Sequence, residues 1–325
     1  MAIRTIGTGL ARPECILAER DGSLWAADAR GGVMHIRPDG IQHLVVQSAS
    51  DHFNLEANEA NSLLGGTLPN GLAFARNGDV LIANFGTDAL EIMTRDGKSR
   101  TLFDNIDGQP LGKVNFVLRD SRDRIWITVS TKVNPWSDAI CSTLADGYIA
   151  LIDDRGMRIV ADGFAFTNEI RFDAQEEWLY VAETAARRVT RLRVLPDGSL
   201  TDREIFGPSS LGPGAVDGIA FDSYGNLWAT MIFADRLIAI TPEGEALTLL
   251  EDGDASATAR FDTELDSGKP VRFETMAATG GTIAPWLASV TFGGPDLRTA
   301  YLGSLKGSTI PYFRCPVAGL PMVHW

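Results

Sequence analysis

Cysteine is scarce and poorly placed for a framework. The 325 residues hold three, Cys15, Cys141 and Cys315, far apart and without a C-x-x-C. An odd, scattered set fits reduced thiols better than disulfides or a thiolate metal site. Basic residues are outnumbered, 29 Lys and Arg against 42 Asp and Glu, for a formal net charge of −13. That balance repels nucleic acid and anionic membranes, and no basic stretch offsets it, so neither partner is expected. The first residues, MAIRTIGTGLARPE, lack an apolar run of signal-peptide length, which makes the cytoplasm the expected location. The one long uncharged stretch, residues 275–295, carries four Gly, two Pro and four Thr. It reads as loop and strand and not as a lipid-facing helix. No 3.6-residue periodicity is sustained over a long window, which argues against a helical protein. Glycine, by contrast, is plentiful: 33 residues in a chain that is 45% hydrophobic, the mark of a turn-rich globular protein and not of disorder.

The turns recur. ECILAERDGSLWAAD from Glu14, NGLAFARNGDVLIAN from Asn70, NFVLRDSRDRIWITV from Asn115, NEIRFDAQEEWLYVA from Asn168 and DGIAFDSYGNLWATM from Asp217 share one layout. Each opens on a polar side chain with an acyl oxygen. Each has a turn residue eight positions on (Gly22, Gly78, Asp123, Glu176, Gly225) and then a bulky apolar strand. A second turn, such as Pro38-Asp39-Gly40 or Pro242-Glu243-Gly244, closes most units. Each unit is therefore a four-stranded meander. The opening markers lie 56, 45, 53 and 49 residues apart, and a looser sixth copy begins near Ala288 or Ser289. The pattern predicts an all-β, six-bladed β-propeller with four-stranded antiparallel blades, one domain over residues 1–325. A strand around residues 3–8 is expected to complete the last blade and close the ring.

In a propeller the first strand of each blade lines the central channel, so the markers must converge as a ring at one end. Two carboxylates and three amides, with no His or Cys, form an oxygen-only set that suits Ca2+ ahead of Mg2+ or Mn2+. The same ring would equally serve to hydrogen-bond buried water. The long connections, residues 47–68, 130–147 and 251–285, all emerge at the marker end, and only short turns are expected at the other. A rigid scaffold with long loops over one mouth is the layout of a pocket, with Phe53, Asn134, Trp136 and Asp138 as candidate wall residues. Residues 130–147 are expected to act as a lid that can be shortened without harm to folding.

With those residues in place, the chain resembles the senescence marker protein 30, gluconolactonase and luciferin-regenerating enzyme family of calcium-dependent propeller hydrolases. The likeness rests on the early acid in ARPECILAERDGSLWAAD, the Asn in GFAFTNEIRFDAQEEWLYVAET, the Asp in VDGIAFDSYGNLWAT and the late TFGGPDLRTAYL. It implies that Glu14, Asn168 and Asp217 bind a divalent metal ion, Ca2+ first with Mg2+, Mn2+ or Zn2+ as alternatives. It also implies that Asn115 approaches metal or substrate and that Asp217 serves in acid/base catalysis. Asn70, Lys113 and Trp136 join Asn115 as candidate substrate contacts. Sugar-lactonase members of the family have Arg and Asp flanking the third-blade Asn, where this chain has Lys113 and Phe116. Glu169 stands where the family tends to have Gly. Both departures point to a pocket less polar than one for an aldonolactone, with one extra carboxylate near it.

The chemistry expected is hydrolysis of a lactone or related ester, in which a cation polarises the carbonyl while a carboxylate handles the proton of water. Serine catalysis lacks its G-x-S-x-G, and His35, His43, His52 and His324 avoid the marker positions. A strictosidine-synthase-like or phosphotriesterase-type propeller and a non-catalytic scaffold are the alternatives. Two acids at the axis, Glu14 and Asp217, are what a scaffold would not need.

Overall fold

The structure, a computed structural model, describes residues 2–48, 63 and 66–325. Phe53 and His52 lie outside the described residues. Six sheets of four antiparallel strands form a ring, the propeller that the repeat predicts. Five are sequential meanders, running from Ile16–Ala18 to Gln42–Val46, Pro69–Phe74 to Ser99–Phe103, Val114–Arg119 to Gly156–Phe164, Thr167–Phe172 to Leu200–Phe206 and Ala215–Phe221 to Ala246–Glu251. The sixth combines Leu287–Gly293, Thr299–Ser304 and Ile310–Arg314 with the N-terminal Arg4–Ile6, whose Arg4 faces Tyr312 and whose Ile6 faces Ile310. The expected closing strand therefore joins the two ends of the chain into one ring.

Burial explains the order of strands within a blade. Inner strands such as Pro69–Phe74 and Ala215–Phe221 are buried at every position because adjacent blades pack on both of their faces. Outer strands such as Leu200–Phe206 and Ala246–Glu251 are mostly exposed. The first hairpin of each blade needs a left-handed residue eight positions after the marker. Gly22 (φ 91°), Gly78 (86°) and Gly225 (85°) supply it without steric cost, while Asp123 (66°) and Glu176 (55°) tolerate it.

A second repeated device sits beside that hairpin. An acid five residues after the marker accepts the indole N–H of a Trp eleven residues after it. Trp25 donates to Glu19 (2.7 Å), Trp126 to Asp120 (2.9 Å) and Trp228 to Asp222 (3.1 Å). Asp120 and Asp222 also accept turn N–H groups, those of Arg122 and Arg124 and of Tyr224 and Asn226. One buried carboxylate thus satisfies both the turn and the indole.

Two expectations about the connections are corrected. Residues 251–285 are not plain loop: Ala255–Asp266 and Phe273–Ala277 are helices, the first capped by Asp254, whose side chain accepts from the Ala257 N–H (2.7 Å). The buried Ala257, Phe261 and Leu265 face the blades at a spacing too short to register as long-range periodicity. The end opposite the markers is not closed by short turns alone. The last residues cross it: Leu320 N–H donates to Phe221 O (2.8 Å), His324 lies 3.0 Å from Ala18 O, and Arg20 binds Trp325 O. The three cysteines are buried and free. Among the described residues no helix is long and apolar enough to cross a membrane.

Candidate active site

Four of the five markers sit where the inner strand slips register against the next strand. The slips fall between Pro69 and Leu72, Val114 and Phe116, Thr167 and Ile170, and Val216 and Ile219, so Asn70, Asn115, Asn168 and Asp217 are bulge residues. A bulge bends the strand and re-aims its side chain, which frees backbone groups from the ladder. Second-strand hydroxyls recover some of them: Thr128 accepts from Phe116 N–H (3.1 Å), and Thr230 accepts from Gly218 N–H (2.8 Å) and donates to Ala288 O (2.8 Å). Gly218 is required by crowding, because a Cβ there would lie 2.4 Å from Ala288 O. In the first blade Glu14 lies two residues before the strand Ile16–Ala18, and in the sixth the slip falls at Ala288, whose methyl offers no donor. Ser289 instead hydrogen-bonds Glu14 O.

The five markers line one cavity of about 50 Å³. Its floor is Arg12, Glu14, Asn70, Asn115, Asn168, Thr184 and Asp217. Its upper wall is Leu63, Phe85, Trp136, Ile140, Phe166, Ile232, Phe233, Trp286 and Leu305. The space is enough for an ion and a few waters at the floor.

Burial pushes the carboxyl groups of Glu14 and Asp217 well above the usual range. For Glu14 the negative charge of Asp217 adds to the effect, and for Asp217 that of Glu169. Burial also lowers the Arg12 guanidinium. Glu14 Oε2, Asn115 Oδ1 and Asn168 Oδ1 are buried without a hydrogen-bond partner, while the Asn168 amide donates to Thr184 (3.1 Å). Such orphans are costly unless something neutralises them. Two acids plus two amide oxygens form a hard-oxygen donor set that fits a divalent cation of the Ca2+ type. Among the described residues no three His, Cys, Asp or Glu side chains gather, so the amides are needed to complete a shell.

Asn70 is otherwise engaged. Its Oδ1 accepts from Arg12 (2.5 Å) and its amide donates to Asn115 O (3.0 Å). Lys113 pairs with Asp88 (2.9 Å) behind the Phe85 ring and does not line the cavity. Phe116 is buried beneath the Arg171 guanidinium and is not a wall residue either. Glu169 lies fully buried in the channel, paired with Arg171 (2.8 Å) and accepting from Ile219 N–H (3.2 Å). Its carboxyl is pushed up to about 7 by burial, against the pull of Arg171.

Trp136 does line the cavity, from the short 3-10 helix Trp136–Ala139, with its indole donating to Leu63 O (3.1 Å). Asn134 and Asp138 are exposed. The segment 130–147 is no detachable lid: Ile140 O accepts from Val271 N–H (2.9 Å) and Ser142 binds Leu265 O (2.9 Å), so it carries the neighbouring helix. His35 stacks on Trp25, and His324 packs against Phe74, both away from the site.

Arg12, Phe85, Phe166, Phe233 and Trp286 escaped the sequence reading. Three of them had a signal. Arg12, Phe166 and Trp286 each stand two residues before a repeat marker or its equivalent, with left-handed φ of 57°, 60° and 56°.

Similarity to known proteins agrees with this geometry. A 6-deoxy-6-sulfogluconolactonase of Pseudomonas putida is 25% identical over 183 residues, 54% of this chain and 53% of the relative. The pentonolactonase XacC of Haloferax volcanii is 27% identical over 180 residues, 54% of this chain and 52% of its own length. The chain thus matches about half the length of these curated relatives. The crystal structure of regucalcin, a calcium-binding protein from Agrobacterium tumefaciens, superposes with a TM-score of 0.66 at 13% identity, covering 96% of this chain and 92% of the other, and shares the fold. Residues 12–259 match the sequence profile of the SMP-30/gluconolactonase/LRE-like region, a span that contains all five acids and amides of the cavity floor, and the chain belongs to that family.

Proposed function

We propose that the protein hydrolyses a lactone or closely related ester whose ring carries apolar substituents, using a divalent cation, Ca2+ first, held by Glu14, Asn115, Asn168 and Asp217. The observation that carries this reading is the set of orphaned floor oxygens beside two buried acids, under a wall of aliphatic and aromatic side chains. The names of the two curated relatives, both lactonases, support the reaction class, and the calcium-binding propeller supports the ion. Bound there, the cation would supply Lewis acidity toward the lactone carbonyl.

This chain's residues do the rest. Asp217 takes the proton of the attacking water and returns a proton to the ring oxygen as the C–O bond breaks, leaving a hydroxy acid. Asn115 and Trp136 contact the substrate, and Asn70 orients Arg12. Lys113, held by Asp88, acts behind Phe85 and not on the substrate. The aromatic wall limits the access of water to the floor. Three buried free thiols fit a reducing compartment such as the cytoplasm.

The substrate preference follows from the wall. A sugar lactone would leave hydroxyls unpaired against Phe85, Phe166, Phe233 and Trp286, at about 1–3 kcal/mol each. Measuring kcat/KM with an alkyl γ-lactone and with gluconolactone, in Ca2+ and in chelator, tests both halves. The alkyl lactone is expected to be favoured by about 10-fold or more, with activity lost on chelation. Preference for the sugar would overturn the substrate half, and indifference to the chelator the metal half.

A further inference from the structure

Arg12 is a buried cation without a carboxylate partner. It is 6% exposed, lines the cavity and makes no ion pair among the described residues. Of the five N–H donors of a guanidinium, two are used, one on Pro69 O (3.1 Å) and one on Asn70 Oδ1 (2.5 Å), and the buried Nε has no acceptor. Both acceptors are neutral, so they orient the group; the negative charges that act on it, Glu14 and Asp217, do so through space and are the same two acids that a bound cation would draw on. With those acids committed to a cation, the desolvated guanidinium would be left without a counter-charge, a costly state that a ligand anion relieves.

The position sharpens the point. The equivalent residue in the fourth blade is Phe166 and in the sixth Trp286, both wall residues of the same cavity and both left-handed. The first blade thus presents a cation to the cavity from a position where the fourth and sixth present a ring, while the third blade's Lys113 at that position is held by Asp88 outside the cavity. A net-charge count agrees. Glu14 and Asp217 together balance one divalent cation, and Glu169 with Arg171 is a neutral pair, so Arg12 leaves the loaded floor with one positive charge in excess.

We propose that Arg12 is the anion-binding residue of this cavity and that its ligand is a monocarboxylate with an apolar tail. The carboxylate meets the guanidinium with charge-assisted hydrogen bonds, and the tail lies against the aromatic wall. This is the group that ring opening of an apolar lactone creates. The link to the reaction rests on the hydrolase reading above, but the binding itself does not.

The test uses the full chain at saturating Ca2+, with hexanoate and its neutral isostere hexanamide titrated by calorimetry. The wild type is expected to bind hexanoate about 10-fold or more tightly than hexanamide. Arg12→Met is expected to abolish the preference, and Asn70→Ala, which removes the orienting acceptor, to weaken hexanoate several-fold while leaving hexanamide unchanged. A wild type without the preference overturns the proposal. So does an Arg12→Met variant that keeps it, or, should that variant fail to fold, unchanged hexanoate binding in Asn70→Ala. Lactone turnover, measured separately, distinguishes the two readings. Arg12-dependent hexanoate binding in a protein inactive on every lactone keeps this inference and removes the hydrolase. An active lactonase without such binding does the reverse.

Discussion

The two ends of the channel differ in a way that cavity size misrepresents. The end opposite the markers encloses about 210 Å³ between strand ends such as Leu118, Phe172 and Phe292 and the C-terminal Leu320–Met322, against about 50 Å³ at the marker end. Yet in the larger space the polar groups are occupied with one another. Arg119 binds Phe74 O and Asp123, Arg171 binds Glu169, and Ser121 binds Glu176. In the smaller space three carboxylate or amide oxygens and a guanidinium nitrogen have no partner. The same inner strands build both ends: bulged at the markers, regularly paired where the acid–Trp clasps close the first hairpins. Unpaired polar groups, more than volume, mark the end where chemistry is expected.

The largest effect that would break this comparison is on catalysis. Asp217→Asn is expected to lower kcat/KM by about 100-fold or more, because the acid/base group is lost, and to weaken Ca2+ binding in calorimetry. Undiminished turnover would remove the active site from the marker end.

The next effect belongs to the opposite end. Asp222→Ala strips acceptors from Trp228 Nε1 and from the Tyr224 and Asn226 N–H groups. Denaturant unfolding should show a loss of about 1–3 kcal/mol with kcat/KM held within about twofold. A variant equally stable but inactive would reverse the assignment of roles.

A smaller effect is expected at the wall. Trp136→Ala should raise KM for an alkyl lactone by about 10-fold, since an exposed-edge ring that touches substrate contributes binding more than stability. Parallel melting curves separate the two, and a fall in melting temperature without a change in KM would make Trp136 a packing residue only.

The smallest effect is a coupling of pH and metal. In the metal-free protein Glu14 and Asp217 hold protons more tightly folded than unfolded, because burial raises both. The folded state then binds more protons, so stability falls as pH rises above the ordinary carboxylate range. Ca2+ replaces those protons, and the gain in melting temperature on adding it should be larger at pH 8 than at pH 5. An equal gain at both values would mean that the two acids do not face the ion.

Much of this was legible because a repeat states the same requirement several times. The eight-residue step from marker to turn reappears as a left-handed residue even where Asp123 and Glu176 replace glycine. The convergence of Glu14, Asn70, Asn115, Asn168 and Asp217 followed from the propeller alone, as inner strands share one axis. Residues flanking a marker were harder. Lys113 looked like a substrate contact, but Asp88, on the preceding blade, captures it. Phe116 looked like a wall, but its ring packs under Arg171 in the channel.

The sequence by itself determined the blade count, the ring closure and the five markers of the floor, because hairpin turns and strand burial are local demands written into each copy. Only the tertiary structure decided which floor oxygens are left unpaired, that Asn70 is spent on Arg12, and that an aromatic wall drawn from several blades covers them. Those outcomes depend on which side chains from distant parts of the chain meet across the axis. Hydrogen-bond competition among neighbours, which no single segment encodes, settles which of them remain free to act.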